Sequence, residues 1–524
     1  CVISASTGWD NCPINTTISN VIIENGVTEI TLSDHRRTFT RVTHIHIPSS
    51  VRKICTSAFK GWGLVTLTIP STVVEIGTHI VEDCASLVAI DMGNTKLTEV
   101  PDSTCWGCSK LKMVILPPNT ITIGNACFMQ CSDLVDIKLP NSVETIEEYA
   151  FFRCMSITSI TLFAVTHIKE SAFESCFNLR QVILAQPQIC INIGSSAFSA
   201  CGTLCCMNLS AANHLLGYNV FNGCGFTEVE LRSECIPDGA FRNCHKLHRV
   251  ILAPSTHTIG CYVFENTSLT AINIDQTEVS IIQTRTFSNT DLVHVTLREL
   301  VTFIDHSAFA SCACLITITL PGVTVLQSEC FSNCSNLQAV NCPVVGIIRS
   351  YAFRSCCNLR MHRLPNCTVL VGRGAFEGCD SIDYFDFHKD IQFQDQFPIS
   401  SLNLRVVIIR GDHSFKVDHF ANKFLTTDTS VLNNKGEREI PKHVYVLDST
   451  TVLPLTDVNV ARAYKTLYWS ISTHHSFLPL HRKHIINLML ISNRLRDMGV
   501  ICLPTEMWVN VLTFCRRIDL RNIH

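Results

Sequence analysis

The sequence predicts an elongated repeat solenoid. Its expected core is a single parallel β-sheet of about sixteen short strands, one per repeat of 22–23 residues, closed by a small mixed cap and an α-helical C-terminal tail. Three observations predict this. A large apolar position, usually Phe, recurs fifteen times at gaps of 20 to 25 residues. A Cys stands three residues after most of these positions. An apolar triplet with offsets of three and five then follows, and its last two members alternate with polar residues, the period of a strand with one buried face.

The composition excludes several alternatives. The chain has 524 residues, of which 46% are hydrophobic and 16% charged. Disorder needs low hydrophobicity and high net charge, so a disordered chain is excluded. A formal charge of -3 gives no electrostatic reason to expect nucleic acid as a partner. No apolar run approaches the ~18 residues of a membrane span. The chain begins at Cys1 rather than Met, which reads as a fragment or a processed chain.

Residues 1–41 read as an N-terminal cap with an irregular first repeat, and residues 42–410 as the array. The recurring apolar slot is filled by Phe59, Val81, Cys105, Phe128, Phe151, Phe173, Phe198, Phe221, Phe241, Phe264, Phe287, Phe309, Phe331, Phe353 and Phe376. The Cys slot holds Cys84, Cys108, Cys131, Cys154, Cys176, Cys201, Cys224, Cys244, Cys312, Cys334, Cys356 and Cys379, while Trp62, Thr267 and Thr290 stand in for it elsewhere. Triplets such as Leu64/Leu67/Ile69, Leu134/Ile137/Leu139 and Leu247/Val250/Leu252 supply the strands, and Val42/Ile45/Ile47 begins the series. One repeat cannot bury these side chains alone; stacked repeats share one core. The Cys slot reads as a small buried hydrophobe. Residues 411–470 read as a C-terminal cap and 471–524 as a helical tail, in which Trp508, Val511, Leu512 and Cys515 fall on one helical face.

The pattern Cys-x-x-Leu-x-x-Ile-x-Leu-Pro followed by Ile-Gly-x-x-Ala-Phe resembles the leucine-rich repeats of the BspA type. IKLP at 137–140, ITLP at 318–321 and the Ala-Phe pairs at Ala172-Phe173 and Ala308-Phe309 carry the likeness. VARAYKTLYW (460–469) resembles the closing cap of such arrays. The tail string Leu-Pro-x-Glu…Val-Leu-x-Phe is weakly similar to the first helix of an F-box, of which the remaining length could hold about half. The resemblance implies a leucine-rich repeat solenoid that binds other proteins.

Motifs for chemistry are missing from the sequence: no Gly-x-Ser-x-Gly elbow, no phosphate-binding Gly-x4-Gly-Lys-Ser/Thr loop and no His-Glu-x-x-His. Cys105 and Cys108 form a CxxC, but both occupy repeat slots and no second pair stands at zinc-site spacing. No catalytic residue, metal or cofactor is expected. The outward strand positions, among them Thr66/Thr68, Gln181/Ile183, Cys206/Asn208, Glu228/Glu230, Arg249/Ile251, Ala271/Asn273, Met361/Arg363 and Tyr384/Asp386, are mixed in charge and suit protein recognition. The expected protein is thus a non-catalytic, monomeric scaffold for protein partners. The alternatives are an adaptor docking through Trp508, Val511 and Leu512, or a surface adhesin. Many unpaired thiols favour the cytoplasm over a secreted or surface location.

Overall fold

The computed structural model describes residues 2–3, 19–31, 39–186, 190–209, 215–361, 364–365, 367–382, 384–388, 391–393, 406–410 and 443–447. They fall in two units, Cys1–Leu315 and Ile316–His524.

In the first unit the triplets form strands as the alternation predicts. Thr66–Thr68, Ala89–Asp91 and Met113–Ile115 pair in parallel and in register, with Leu67 beside Ile90 and Ile90 beside Val114. Their central residues are buried and the flanking ones turn outward. Each repeat runs the same way around the core, so neighbouring strands can only be parallel. The ladder starts earlier than Val42: Val2–Ile3 pairs with Asn20–Ile23, which pairs with His44–His46.

A second strand per turn was not legible in the sequence. Glu99–Val100, Thr122–Ile123, Thr145–Ile146, His167–Ile168, Asn192–Ile193 and Leu215–Leu216 form a six-stranded parallel ladder of their own. The expectation of one sheet with one strand per repeat is therefore extended to two ladders per turn. Two-residue strands are too short to show a period, so only stacking reveals them. Glycine often follows this strand because the preceding turn lies close. A Cβ on Gly217 would stand 2.3 Å from the Ser195 backbone nitrogen, and one on Gly77 2.4 Å from that of Thr56.

The Phe slot lies on a third ladder built without strands. The residues two before and two after it take left-handed backbone: Ser57 and Gly61 around Phe59, Ala126 and Gln130 around Phe128, Ser171 and Ser175 around Phe173. Alternating handedness turns three N–H groups along the stacking axis. Those of Ser57, Phe59 and Gly61 donate to the carbonyls of Thr78, Ile80 and Glu82 in the next turn, at 2.9, 2.9 and 2.7 Å. Gly and Asn recur in the later column because they tolerate this conformation best. Asn243, Asn266 and Asn289 there also link side chain to side chain, at 2.8 and 3.0 Å.

Every expected Phe-slot residue is buried. From Phe128 to Phe309 the rings stack turn on turn, with centroids 5.0–6.1 Å apart. The short repeat before Phe241 keeps its core by another route: Phe226, edge-on to Phe221 at 5.3 Å, fills the place of the missing Leu. There Cys206–Met207 closes one sheet and Glu228–Leu231 opens another.

The second unit repeats the scheme. Thr317–Thr319 pairs with Ala339–Asn341, and Val325–Leu326, Ile347–Ile348, Leu370–Val371 and Gln392–Phe393 form the second ladder. Tyr384–His388, Val406–Arg410 and His443–Leu447 make a three-stranded parallel sheet. Phe331, Phe353 and Phe376 stack at 5.4 and 5.2 Å. Among the described residues the single helical element is the 3-10 turn Ile274–Gln276. The expected helices of the tail, with Trp508, Val511 and Leu512, lie outside the described residues.

Candidate functional site

Two features stand out from the repeat: a ladder of thiols inside and a strip of side chains outside. All twelve predicted ladder cysteines are buried. Their role is more specific than filling space. In the first unit Cys84, Cys131, Cys154, Cys176, Cys201, Cys224 and Cys244 donate to the carbonyls of Phe59, Cys105, Phe128, Phe151, Phe173, Phe198 and Phe221 at 3.0–3.1 Å. In each case the acceptor is the Phe-slot carbonyl one turn earlier. That oxygen already accepts the N–H of its own turn's Cys slot; the Phe151 carbonyl takes Cys154 N–H and Cys176 Sγ, both at 3.1 Å. The thiol thus satisfies the second lone pair of a buried carbonyl and ties two turns together. Thr267 and Thr290 serve the same carbonyls from within their own turns, at 2.8 and 3.0 Å. Trp62 instead packs edge-on to Phe39 and Phe59.

Burial holds these thiols protonated. It pushes Cys105 up to about 11 and Cys244 up to about 12, and Cys131, Cys176, Cys201 and Cys224 well above the ordinary thiol range. A thiol so placed is a hydrogen-bond donor rather than a nucleophile or metal ligand. Cys105 and Cys108 are both in this state, so their CxxC spacing is a product of the repeat. No cysteine among the described residues is in a disulfide, and no three His, Cys, Asp or Glu converge there to hold a metal ion.

Two acidic side chains are buried beside the Phe slot, where basic side chains of neighbouring turns reach them. Glu265 meets Arg242 at 2.7 Å and Arg285 at 3.2 Å, and Glu82 meets Lys60 at 2.8 Å and His79 at 2.9 Å. Glu265 thereby links the turns on both sides of its own, and Glu82 links its turn to the one before.

Outside, the first-strand ladder presents Thr66/Thr68, Gln181, Cys206/Asn208, Glu228/Glu230 and Arg249 to solvent. Large apolar side chains stand among them: Ile22, Met113, Ile115, Ile183 and Ile251 are between 37% and 52% exposed. Charges of both signs neighbour one another, as where Glu228 meets His248 at 3.4 Å and Arg249 at 3.8 Å. Some expected outward residues are not available. Asn273 spends its amide on the N–H and C=O of Leu252. Met361 and Asp386 are buried, so the simple alternation fails at those two positions. Arg363 lies outside the described residues.

The sequence matches the family model described as a BspA type leucine rich repeat region of six copies, over residues 35–134, 121–236, 214–338 and 302–426. The chain belongs to the BspA-type leucine-rich repeat family. The fold of this BspA-type array is shared with a leucine-rich repeat protein from Bacteroides ovatus, at TM-score 0.55 and 21% identity over 73% of this chain and 92% of that one. It is also similar to a leucine rich cell surface protein from Faecalibacterium prausnitzii (24% identity, TM-score 0.34, 60% and 89% covered). A leucine rich repeat protein of T. pallidum matches at 26% identity and TM-score 0.29, over 36% of this chain and 79% of that one. No curated protein matches the chain in sequence. Among the described residues of this BspA-type chain no helix is long and apolar enough to cross a membrane.

Proposed function

We propose that the chain is a non-catalytic scaffold that binds protein partners on the outward face of its first-strand ladder. The observation that carries this is the strip itself: half-exposed Ile22, Met113, Ile115, Ile183 and Ile251, each on a first strand paired in parallel with that of a neighbouring turn, among small polar and mixed-charge neighbours. Apolar anchors within a polar surround suit protein recognition, and on paired strands little backbone freedom is left to lose on binding. The strip carries no run of Lys and Arg that would favour a phosphate backbone. A reducing compartment suits the reading, since the ladder needs its thiols as donors, and a monomer suits it because a partner then has the whole strip.

The test replaces Met113 and Ile183 with Glu, separately and together, and, as a control, exposed Val74, which directly precedes the second-ladder strand Glu75–Ile76. Proteins crosslinked to the full chain are then compared between variants of equal stability. Loss with the strip variants and retention with Val74→Glu supports the proposal; identical partners throughout refutes it. A second reading rests on LPTEMWVNVLTF in the tail, as an adaptor helix that docks a partner complex. Loss of partners on Trp508→Ala, with the strip intact, would favour it.

A further inference from the structure

Two exposed thiols differ from all the others described. Cys205 and Cys206 are both at the surface, and their sulfurs lie 3.4 Å apart. The reason is their place in the repeat. They follow Leu204, where the chain has yet to enter the strand's alternation, so consecutive side chains leave on one side. Other turns show the same: Thr158/Ser159, Arg180/Gln181 and His248/Arg249 are exposed pairs at the equivalent positions. A second adjacent pair supplies an internal contrast. Cys356 occupies the ladder slot and donates to the Phe331 carbonyl at 3.1 Å, while Cys357 is exposed beside the Ser355 carbonyl at 3.6 Å. One sulfur is inside and the other outside, so that pair cannot act together.

The geometry at Cys205 and Cys206 favours a bridge over a direct bond. A disulfide joins Cα atoms usually about 4.4–6.8 Å apart, and neighbouring residues across a trans peptide are held at about 3.8 Å. Direct closure therefore distorts the backbone. A single soft atom does not need this: two bonds of about 2.3 Å meeting near a right angle span roughly 3.3 Å between sulfurs. Among the described residues no His, Asp or Glu joins the two thiols to make a third ligand. A centre satisfied by two sulfurs at one atom is well served by this pair.

We propose that Cys205 and Cys206 form a dithiol site for thiophilic compounds that take two sulfurs at one atom, with monosubstituted trivalent arsenicals as the ligand class. With phenylarsine oxide two arsenic–sulfur bonds form, and the oxide oxygen leaves as water with both thiol protons. Arsenic stays trivalent, so the step needs neither oxidant nor reductant. The second bond is intramolecular, which favours this pair over any isolated surface thiol. The ladder thiols do not compete, being buried and protonated.

The test uses the reduced, folded full chain with one equivalent of phenylarsine oxide, followed by excess glutathione to strip singly bonded adducts. Intact mass and a peptide map are then read. One arsenical per chain should persist on the peptide containing residues 205 and 206. Cys205→Ser and Cys206→Ser should each lower the retained fraction at least about ten-fold, as expected when a chelate loses one arm, while melting like the parent. Cys357→Ser should retain the adduct. No persistent adduct in the parent, or one that survives both Ser variants, overturns the proposal.

Discussion

Replacing Phe173 with Ala tests the packing that organises the whole array. The ring is fully buried, and it lies 5.0 Å from Phe151 at 6° and 5.2 Å from Phe198 at 1°. Truncation leaves the backbone pattern intact, since Phe173 N–H still donates to Ala197 and its carbonyl still accepts Cys176 N–H and Cys201 Sγ. What is lost is the ring: about 3–5 kcal/mol for a buried Phe→Ala change, of which two aromatic contacts supply about 0.5–1.5 kcal/mol each. Phe173→Leu keeps much of the volume but loses both ring contacts, so it should cost about 1–3 kcal/mol, less than the Ala variant. Each turn touches mainly its neighbours, so the damage should be concentrated locally. Urea unfolding gives the overall cost, and amide hydrogen exchange should show protection falling most between residues 151 and 198. If the Ala variant unfolds at the parent's midpoint with unchanged protection in that segment, the stack does not hold the turns together.

Three further outcomes are expected. Cys176→Ala should cost about 1–3 kcal/mol through lost volume and a half-satisfied Phe151 carbonyl, with Cys176→Ser recovering the hydrogen bond and Cys176→Val the volume; chemical denaturation of the three variants separates the terms. Alkaline pH should destabilise the array. Cys105 and Cys244 titrate near 11 and 12 when folded but near about 8.5 when unfolded. The raised folded values mean that their stabilisation is complete below the unfolded value and fades as pH rises towards the folded one, by about 1.4 kcal/mol per pH unit for each buried thiol. Circular dichroism across pH 8 to 12 checks this, and Cys244→Ala should flatten the dependence. Glu265→Ala should cost about 1–2 kcal/mol, below the value for a fully buried pair because Arg242 and Arg285 are roughly half-exposed and rehydrate; Glu265→Gln, compared by thermal melts, should lie between Ala and the parent.

By itself the sequence determined the repeat, the Phe and Cys slots and the buried member of each first strand. These follow from near-identical segments that each must hide the same apolar side chains, a constraint that every copy prints into the chain at a fixed spacing. The face of the strip was legible for the same reason at Thr66, Gln181 and Glu228, where strict alternation assigns the outward position. Met361 and Asp386 broke the rule, being buried where alternation alone assigns an outward position. Only the tertiary structure decided how the copies bond to one another. The two-residue second strands, the left-handed residues around Phe59 and the thiol of Cys176 on the Phe151 carbonyl all join turns more than twenty residues apart. Such bonds have no local pattern, because their partners are fixed by stacking rather than by neighbours in the chain. Cys205 and Cys206 show the same division: the sequence gives their adjacency, and the entry into the strand decides that both sulfurs emerge on one side.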